Sequence, residues 1–312
     1  MRDGLESGRV RRPVGGCLLE TTARLQVDAF EVTLKDIGEV DVEQLHTLSV
    51  AVGWPHREDD WRTLLALGQG IAACDDIGRV IGSVMWLRYG PDHTMVGMLI
   101  TSPRLQEHGA GRWLMERVHA LNPGSAFALT ATRAARRLYR SMGYGHEQKI
   151  LQCQGHVQGK PQPGRIDGQL RAVEAGDHAE ILRLDRQGLG CDRSAVLARL
   201  LASSQGQVLI REGAVVAYAL CRRFGRERVL GPVVAARDDD AVAVSAPLVA
   251  ASQGGFLRAD TPESDTAFTE FLVGCGMRIH DSVTAMGLGR APYRPAAPDG
   301  PRRIALASQA LG

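Results

Sequence analysis

The stretch TSPRLQEHGAGRW, residues 101–113, joins an apolar run to a helix-like one and sets Gly109, Ala110 and Gly111 side by side. A strand that turns through glycine into a helix leaves the first amide N–H groups of that helix without intrahelical partners, all facing one side. The helix dipole adds about half a positive charge at that end, and glycines let a bulky anion approach the backbone without meeting a Cβ. The chemistry this suits is phosphate or pyrophosphate binding, with Arg112 able to add a charged contact. Gly109 and Gly111 would be the essential pair; an ordinary turn and helix start is the plain alternative. Downstream, LTATRAARRLYRSMGY, residues 129–144, offers the phenol of Tyr139, which could give up a proton or simply pack a helix onto a sheet. Upstream, GWPHREDDW, residues 53–61, sets His56, Glu58, Asp59 and Asp60 between Trp54 and Trp61. A tryptophan face can hold a cationic amine, so Trp54 is a candidate substrate contact, with Glu58 beside it. Tyr89 and His93, near the next turn, are further candidates; solvated loop charges are the plain reading of this group.

Such residues need elements to carry them, and the same order of elements occurs twice. GRVIGSVMWLRYG, residues 78–90, is echoed by GAVVAYALCRRFG, residues 213–225. Gly78 matches Gly213, Gly97 matches Gly231 and Gly143 matches Gly276 at nearly constant separation, as in a duplicated domain. In the first copy, AFEVTLKD reads as a strand and residues 41–54 and 58–67 as two short helices. GIAACDD, RVIGSVMWLRYG and TMVGMLITS then read as a meander of strands separated by turn residues. A helix over 109–120, a strand around AFALT, a helix over 133–142 and a final strand after Gly145 complete the copy. The second runs from Gln169 to about Gly287. Residues 1–28 read as a loose arm, 29–153 as the first domain, 154–168 as a Gly/Pro/Gln-rich linker, 169–288 as the second domain and 289–312 as a tail, irregular until the apolar IALAS.

Lysine and arginine total 37 against 35 acids in 312 residues, a balance with none of the basic excess of nucleic-acid binders. A small or neutral partner is the expectation. The six cysteines are widely spaced, with no C-x-x-C and no Cys/His cluster at zinc spacing, so no metal is expected. No apolar run reaches the roughly 20 residues of a membrane span, and the chain reads as soluble and cytoplasmic. Monomer and homodimer stay open.

QEHGAG resembles the acyl-CoA signature of the GNAT superfamily of N-acetyltransferases: Gln or Arg, any two residues, Gly, any residue, then Gly or Ala. It follows an apolar strand, as in that family. LYRSMGY resembles the family's later helix, which closes with Leu-Tyr, three residues, Gly and an aromatic. The resemblance covers residues 29–153, with 169–288 as a degenerate copy, as in bacterial tandem GNAT proteins whose C-terminal half is a divergent acetyltransferase-like domain. It implies an α+β fold in which each copy is a mixed, mostly antiparallel sheet flanked by helices, and acetyl-CoA as cosubstrate. It further implies that Gln106, Glu107, His108, Gly109, Ala110, Gly111 and Arg112 cradle the pyrophosphate. Backbone N–H groups of Met98, Leu99, Ile100 and Thr101 would meet the pantetheine and thioester carbonyl. Thr132 and Ala135 lie where the later helix approaches the cofactor, Thr132 standing where the family often has asparagine. Tyr139 matches the family's usual general acid. In the second copy VLGPVVA continues as RDDDAVAVSAPLVAA, with no glycine between Gly231 and Gly254, and Leu272 stands in place of Tyr139. Acyl-CoA is therefore expected in the first copy only. The implied reaction is acetyl transfer to a primary amine of a small molecule by direct attack in a ternary complex. A non-catalytic acyl-CoA-binding regulator and a protein lysine or N-terminal acetyltransferase are the alternatives.

Overall fold

A computed structural model describes residues 24–27, 30–103, 105–106, 109–159, 161, 166–262, 266–293, 295, 297 and 299–312. The first half contributes strands β1 (Arg24–Val27) and β2 (Phe30–Asp36), helices α1 (Val42–Ala51) and α2 (Glu58–Leu67), and strands β3 (Gln69–Cys74), β4 (Val80–Arg88) and β5 (His93–Thr101). It continues with α3 (Ala110–Leu121), β6 (Ala126–Ala131), α4 (Arg136–Ser141) and β7 (Gly145–His156). The second half repeats the order: β8 (Gln169–Ala172), α5 (His178–Leu189), α6 (Ser194–Leu201), β9 (Gln205–Arg211), β10 (Ala214–Phe224), β11 (Glu227–Ala235), α7 (Asp238–Ala250), β12 (Phe256–Thr261), α8 (Ala267–Gly274) and β13 (Arg278–Leu288). A final strand, β14 (Arg302–Ala305), closes the chain's sheet.

Local chemistry accounts for these elements. Helix α2 begins where Asp60 accepts from the backbone N–H of Arg57 at 2.9 Å, one half of a capping box. In α3 the buried positions Ala110, Leu114, Met115 and Val118 recur at helical spacing and give one apolar face. Strand β4 is apolar on both faces, and its buried residues Ser83 to Leu87 are covered by α1 on one side and α3 on the other.

The halves are not closed units. All strands except β14 form one path, β1-β2-β3-β4-β5-β6-β13-β7-β12-β11-β10-β9-β8, within a 14-stranded sheet. The last strand of each half is thus exchanged: β13 lies between β6 and β7, and β7 lies between β13 and β12. The register of β13 with β6 is continuous, with Thr284 opposite Ala131, and that with β7, where Val283 lies opposite Ile150, shifts between Ile279 and Asp281 and between Ala285 and Gly287. Strand β7 extends to His156, so the expected boundary at 153 and the start of the expected linker fall inside a paired strand. One core cluster also crosses the junction, joining Leu45, Trp61 and Met85 to Leu184, Leu197 and Tyr218. Apolar burial of this extent makes the two halves interdependent for stability.

The segment after Gly289 is built into this junction rather than hanging from it. Residues Ile304 to Ala307 and Leu311 are buried, and β14 pairs with β11 through Val233–Ala305 and Ala235–Arg302. Arg193 donates to the Leu311 carbonyl at 3.0 Å and to the Gly312 carbonyl, and is itself held by Asp185 at 2.8 and 2.9 Å. The Tyr218 hydroxyl donates to the same carboxylate at 2.5 Å, and with these partners the buried ion pair is fully engaged. The segment is irregular up to Pro301 among the described residues and becomes a buried strand at the apolar IALAS, as its sequence leads one to expect, because those apolar residues have a prepared slot.

Candidate active site

Strands β5 and β6 run parallel and paired from His93–Ala126 to Val96–Leu129, then part. The cause lies on the other edge of β5. The β4–β5 register shifts between Ser83–Ile100 and Met85–Gly97, and Met98 takes a φ of 53°, a left-handed conformation that a methionine adopts only when its surroundings impose it. Ser83 Oγ donates to the Met98 carbonyl at 2.8 Å and holds the bulge. The bend turns β5 from β6 and opens a V-shaped gap at Gly97 and Met98.

A cleft of about 270 Å³ stands at this gap, and Gly97, Met98, Thr130 and Thr132 line its first-half side. Trp54 and His56, from the α1–α2 connection, form a wall. The opposite wall comes from the second half and the final segment: Phe224, Arg226, Arg258, His280, Asp281 and Gln309. His56 sits between two aromatics, 5.7 Å from the Trp54 ring and edge-on to Phe224 at 5.5 Å. Burial lowers its pKa from the ordinary value to about 4, so the imidazole is neutral at pH 7. Its Nδ1 and the Thr130 hydroxyl are buried without hydrogen-bond partners, which leaves polar atoms for a bound molecule to satisfy.

Beyond the gap the chain enters the glycine turn. Leu105 anchors it in the core, Gln106 donates to the Thr101 carbonyl at 3.2 Å, and Gly109, at φ 77°, is the left-handed residue from which α3 starts. A Cβ at Gly109 would have nothing within 4 Å among the described residues, so the space on that side of it is open. Glu107 and His108 lie outside the described residues. Arg112 is half-buried and donates to the Ser141 hydroxyl at 2.6 Å, which ties α3 to α4. Thr132 faces the turn into α4, its hydroxyl accepting from Ala135 N–H at 3.4 Å.

Tyr139 projects into the core on the α3 side of the sheet, 5.7 Å from the Tyr144 ring. It is 5% exposed, and burial pushes its phenol above the ordinary range. Its hydroxyl has no hydrogen-bond partner among the described residues.

The remaining sequence candidates lie elsewhere. Glu58 pairs with Arg62 at 2.7 Å on the exposed first turn of α2 and does not line the cleft. Tyr89 is buried, its hydroxyl donating to the Leu311 carbonyl at 2.8 Å, so it fastens the final segment instead of contacting a substrate. His93 is buried at the start of β5, at the opposite end of that strand from Thr101, and burial lowers its pKa to about 4. Neither Tyr89 nor His93 reaches the cleft, because proximity to a hairpin in sequence says nothing of which end of a strand carries the gap. Sequence reasoning missed the whole second-half wall, as well as Gln152 and Gln154 on β7. The repeat alone carried no signal that the halves share a cleft.

In the second half the equivalent gap is filled. Strands β11 and β12 pair in parallel only at Arg228–Leu257 and Val229–Arg258, and β14 then enters between them. The Thr261 hydroxyl, on the β12 side, donates to the Ile304 carbonyl at 2.6 Å. Among the described residues no cluster of His, Cys, Asp or Glu is arranged to hold a metal, and no helix is long and apolar enough to cross a membrane.

Comparison with known proteins agrees with this duplicated architecture. Residues 67–146 and residues 181–297 each match an acetyltransferase (GNAT) domain family. No curated protein matches the sequence. Among solved structures, a proposed acetyltransferase from Pyrococcus horikoshii is similar over 92% of this chain and 98% of its own, with a TM-score of 0.73 at 15% identity. A tandem GNAT protein from the clavulanic acid biosynthesis pathway matches over 82% of this chain and 98% of its own, with a TM-score of 0.56 at 12% identity. A fungal multi-domain GH3 β-N-acetylglucosaminidase with a glucosamine N-acetyltransferase region matches over 82% of this chain and 38% of its own, with a TM-score of 0.59 at 13% identity. At these identities the likeness is one of fold.

Proposed function

The chain belongs to the GNAT acetyltransferases as a tandem of two copies, and from that premise we propose that its first half transfers an acetyl group from acetyl-CoA to a primary amine of a small molecule. The observation that carries this reading is the asymmetry of the two gaps. The gap between β5 and β6 opens onto a cleft, whereas the one between β11 and β12 holds β14.

The first-half residues fit the cosubstrate. The open space at Gly109 and the unpaired amides at the start of α3 suit a pyrophosphate, and the bulge at Met98 supplies backbone N–H groups at the gap. Bound acetyl-CoA supplies the activated acyl group. Gln106, Gly109, Ala110, Gly111 and Arg112 would hold its phosphates, and Met98 to Thr101 its pantetheine. A backbone N–H aimed at charge developing on the acyl oxygen contributes about 3 kcal/mol where such donors have been removed from other enzymes. Tyr139 is proposed as the group that returns a proton to the sulfur; its raised pKa keeps the phenol protonated but opposes the transfer, which is therefore coupled to departure of the thiol product.

The acceptor side is mixed in character. Trp54 and Phe224 offer aromatic faces to an amine, and the Asp281 carboxylate offers it a counter-charge. Neutral His56 can accept an N–H from the amine as it loses its proton. The second half walls the cleft, which supports a small molecule over an extended peptide. Screening primary amines for thiol release from acetyl-CoA tests the proposal; acetyl-CoA that binds without transfer to any amine, free or in peptides, would leave a non-catalytic acyl-CoA binder instead.

A further inference from the structure

Arg222 of β10 is 7% exposed, yet its guanidinium has no carboxylate within ion-pair distance among the described residues. Its one side-chain hydrogen bond among the described residues is a donation to the Gly231 carbonyl at 3.2 Å, and its charge lies 5.3 Å from the Phe224 ring. The nearest acid, Asp60, is already spent. It accepts from the backbone and side chain of Arg57 at 2.9 and 2.8 Å and from Gly225 N–H at 2.9 Å. Asp59 pairs with Arg62 at 3.0 Å. A buried cation outside ion-pair distance of a carboxylate is costly, and burial lowers the Arg222 pKa to about 10, an effect that the Asp60 carboxylate only partly offsets.

Arg222 also lines a cavity of about 230 Å³ between α2 of the first half and β10 of the second, where Arg57 and Arg223 add positive charge and Asp59 and Asp60 negative charge, leaving a net positive lining. This cavity is separate from the acyl-transfer cleft and shares only Phe224 with it. Its volume exceeds that of a water or a simple ion. A planar guanidinium suits bidentate pairing with an oxyanion, and Arg223 adds a second cationic side chain to the lining, whereas the Thr63 and Ser203 hydroxyls on the rim donate to the Asp59 and Arg199 carbonyls at 2.9 and 3.1 Å.

We infer that this inter-half cavity is a binding site for a small organic molecule bearing a carboxylate or a phosphate, whose oxyanion pairs with Arg222. The ligand would complete the charge balance that the chain leaves open and would bridge the two halves beside Phe224. Its binding is independent of acetyl transfer, so the inference stands or falls apart from the proposed reaction.

The test is thermal melting of the full chain during titration with inorganic phosphate and, separately, with succinate, at ionic strength held constant with chloride. The two arms distinguish phosphate from carboxylate recognition. Wild type is expected to gain several degrees in melting temperature with saturation in at least one arm. Arg222→Met should weaken that response at least about tenfold, the scale of a charge-assisted hydrogen bond. It should also melt no lower than wild type in chloride alone, since an apolar side chain of similar size removes an uncompensated buried charge. No saturable response in wild type, or the same response in Arg222→Met, overturns the assignment. Should Arg222→Met fail to fold, Ser203→Glu decides, because Ser203 is exposed at the end of α6 and a carboxylate there competes for Arg222. Loss of the response in Ser203→Glu supports the site and retention overturns it.

Discussion

The Leu306 N–H donates to the Asp260 carbonyl at 2.8 Å, on the β12 side of a segment whose preceding residues pair with β11. The final segment therefore spans the second half's gap as an extra strand, satisfying backbone groups on both sides. Gly231, at the β11 edge of that gap, has no room for a Cβ because the Leu306 carbonyl lies against it. A pantetheine chain would have to displace these bonds to enter. Calorimetric titration with acetyl-CoA should accordingly give one site per chain; two equivalent sites would show that the segment leaves its slot.

Gly109→Val tests the glycine turn. Among the described residues nothing lies within 4 Å of a Cβ there, so their packing does not oppose the change, but a φ of 77° does. A branched residue forced into that region costs about 1–3 kcal/mol. The cost is expected as a modest fall in melting temperature, together with a loss of acetyl-CoA affinity of tenfold or more as the turn relaxes and its amides move. Unchanged affinity by calorimetry would detach the turn from phosphate binding.

Arg193 and Asp185 give a stability prediction. Their side chains are 0% and 3% exposed, and they hold the final segment through the Leu311 and Gly312 carbonyls. Asp185→Ala leaves the guanidinium buried without its counter-charge, a loss of about 3–5 kcal/mol. Denaturant unfolding should show it, and a loss below about 1 kcal/mol would mean that water reaches Arg193.

How far such relationships could be read from sequence depends on their range. Elements within each half are legible because their signals are local: helical spacing from Ala110 to Val118, turn residues at Asp76 to Gly78, glycine before α3. Exchange of β7 and β13 is not, since a strand's partner is set by the whole sheet. One trace was present. Ile150 and Leu151 are adjacent apolar residues buried in different clusters, the mark of a strand covered on both faces. The site divides in the same way. Met98, Gly109 and Trp54 come from the first half's own pattern, whereas Asp281 and Arg258 reach the cleft only through the exchanged register. Tyr89 lies beside the hairpin turn in sequence, but that closeness does not place it at the cleft, and the final segment takes its hydroxyl.

Acid should weaken the fold through its buried histidines. Burial lowers His56 and His93 to about 4 in the folded chain, against about 6.5 when unfolded. The folded state thus binds fewer protons over that interval, and the stability these residues contribute is complete above pH 6.5 and lost as pH falls toward 4. The slope is on the order of 1 kcal/mol per pH unit for each histidine. His93→Gln, which cannot charge, should flatten the stability profile between pH 6.5 and 4 without touching the cleft. An unchanged slope in urea melts across that range would mean that His93 is solvated.

Tyr139→Phe separates chemistry from packing more sharply than the sequence alone allowed. Tyr139 is 5% exposed on the α3 side of the sheet and its hydroxyl makes no hydrogen bond among the described residues, so deleting it removes no protein partner and keeps the ring against Tyr144. Stability should therefore stay level, because no hydrogen bond within the described residues is lost. Acetyl-CoA affinity should stay near wild type for the same reason. If the phenol returns the proton to the sulfur, turnover with an accepted amine should nevertheless fall by a factor on the order of 10² to 10⁴. The fall should shrink with an acyl thioester whose thiol is more acidic, since a better leaving group has less need of a proton. Full turnover in Tyr139→Phe would assign the ring to the core and leave protonation to a group in the cleft, without disturbing the fold or the phosphate turn.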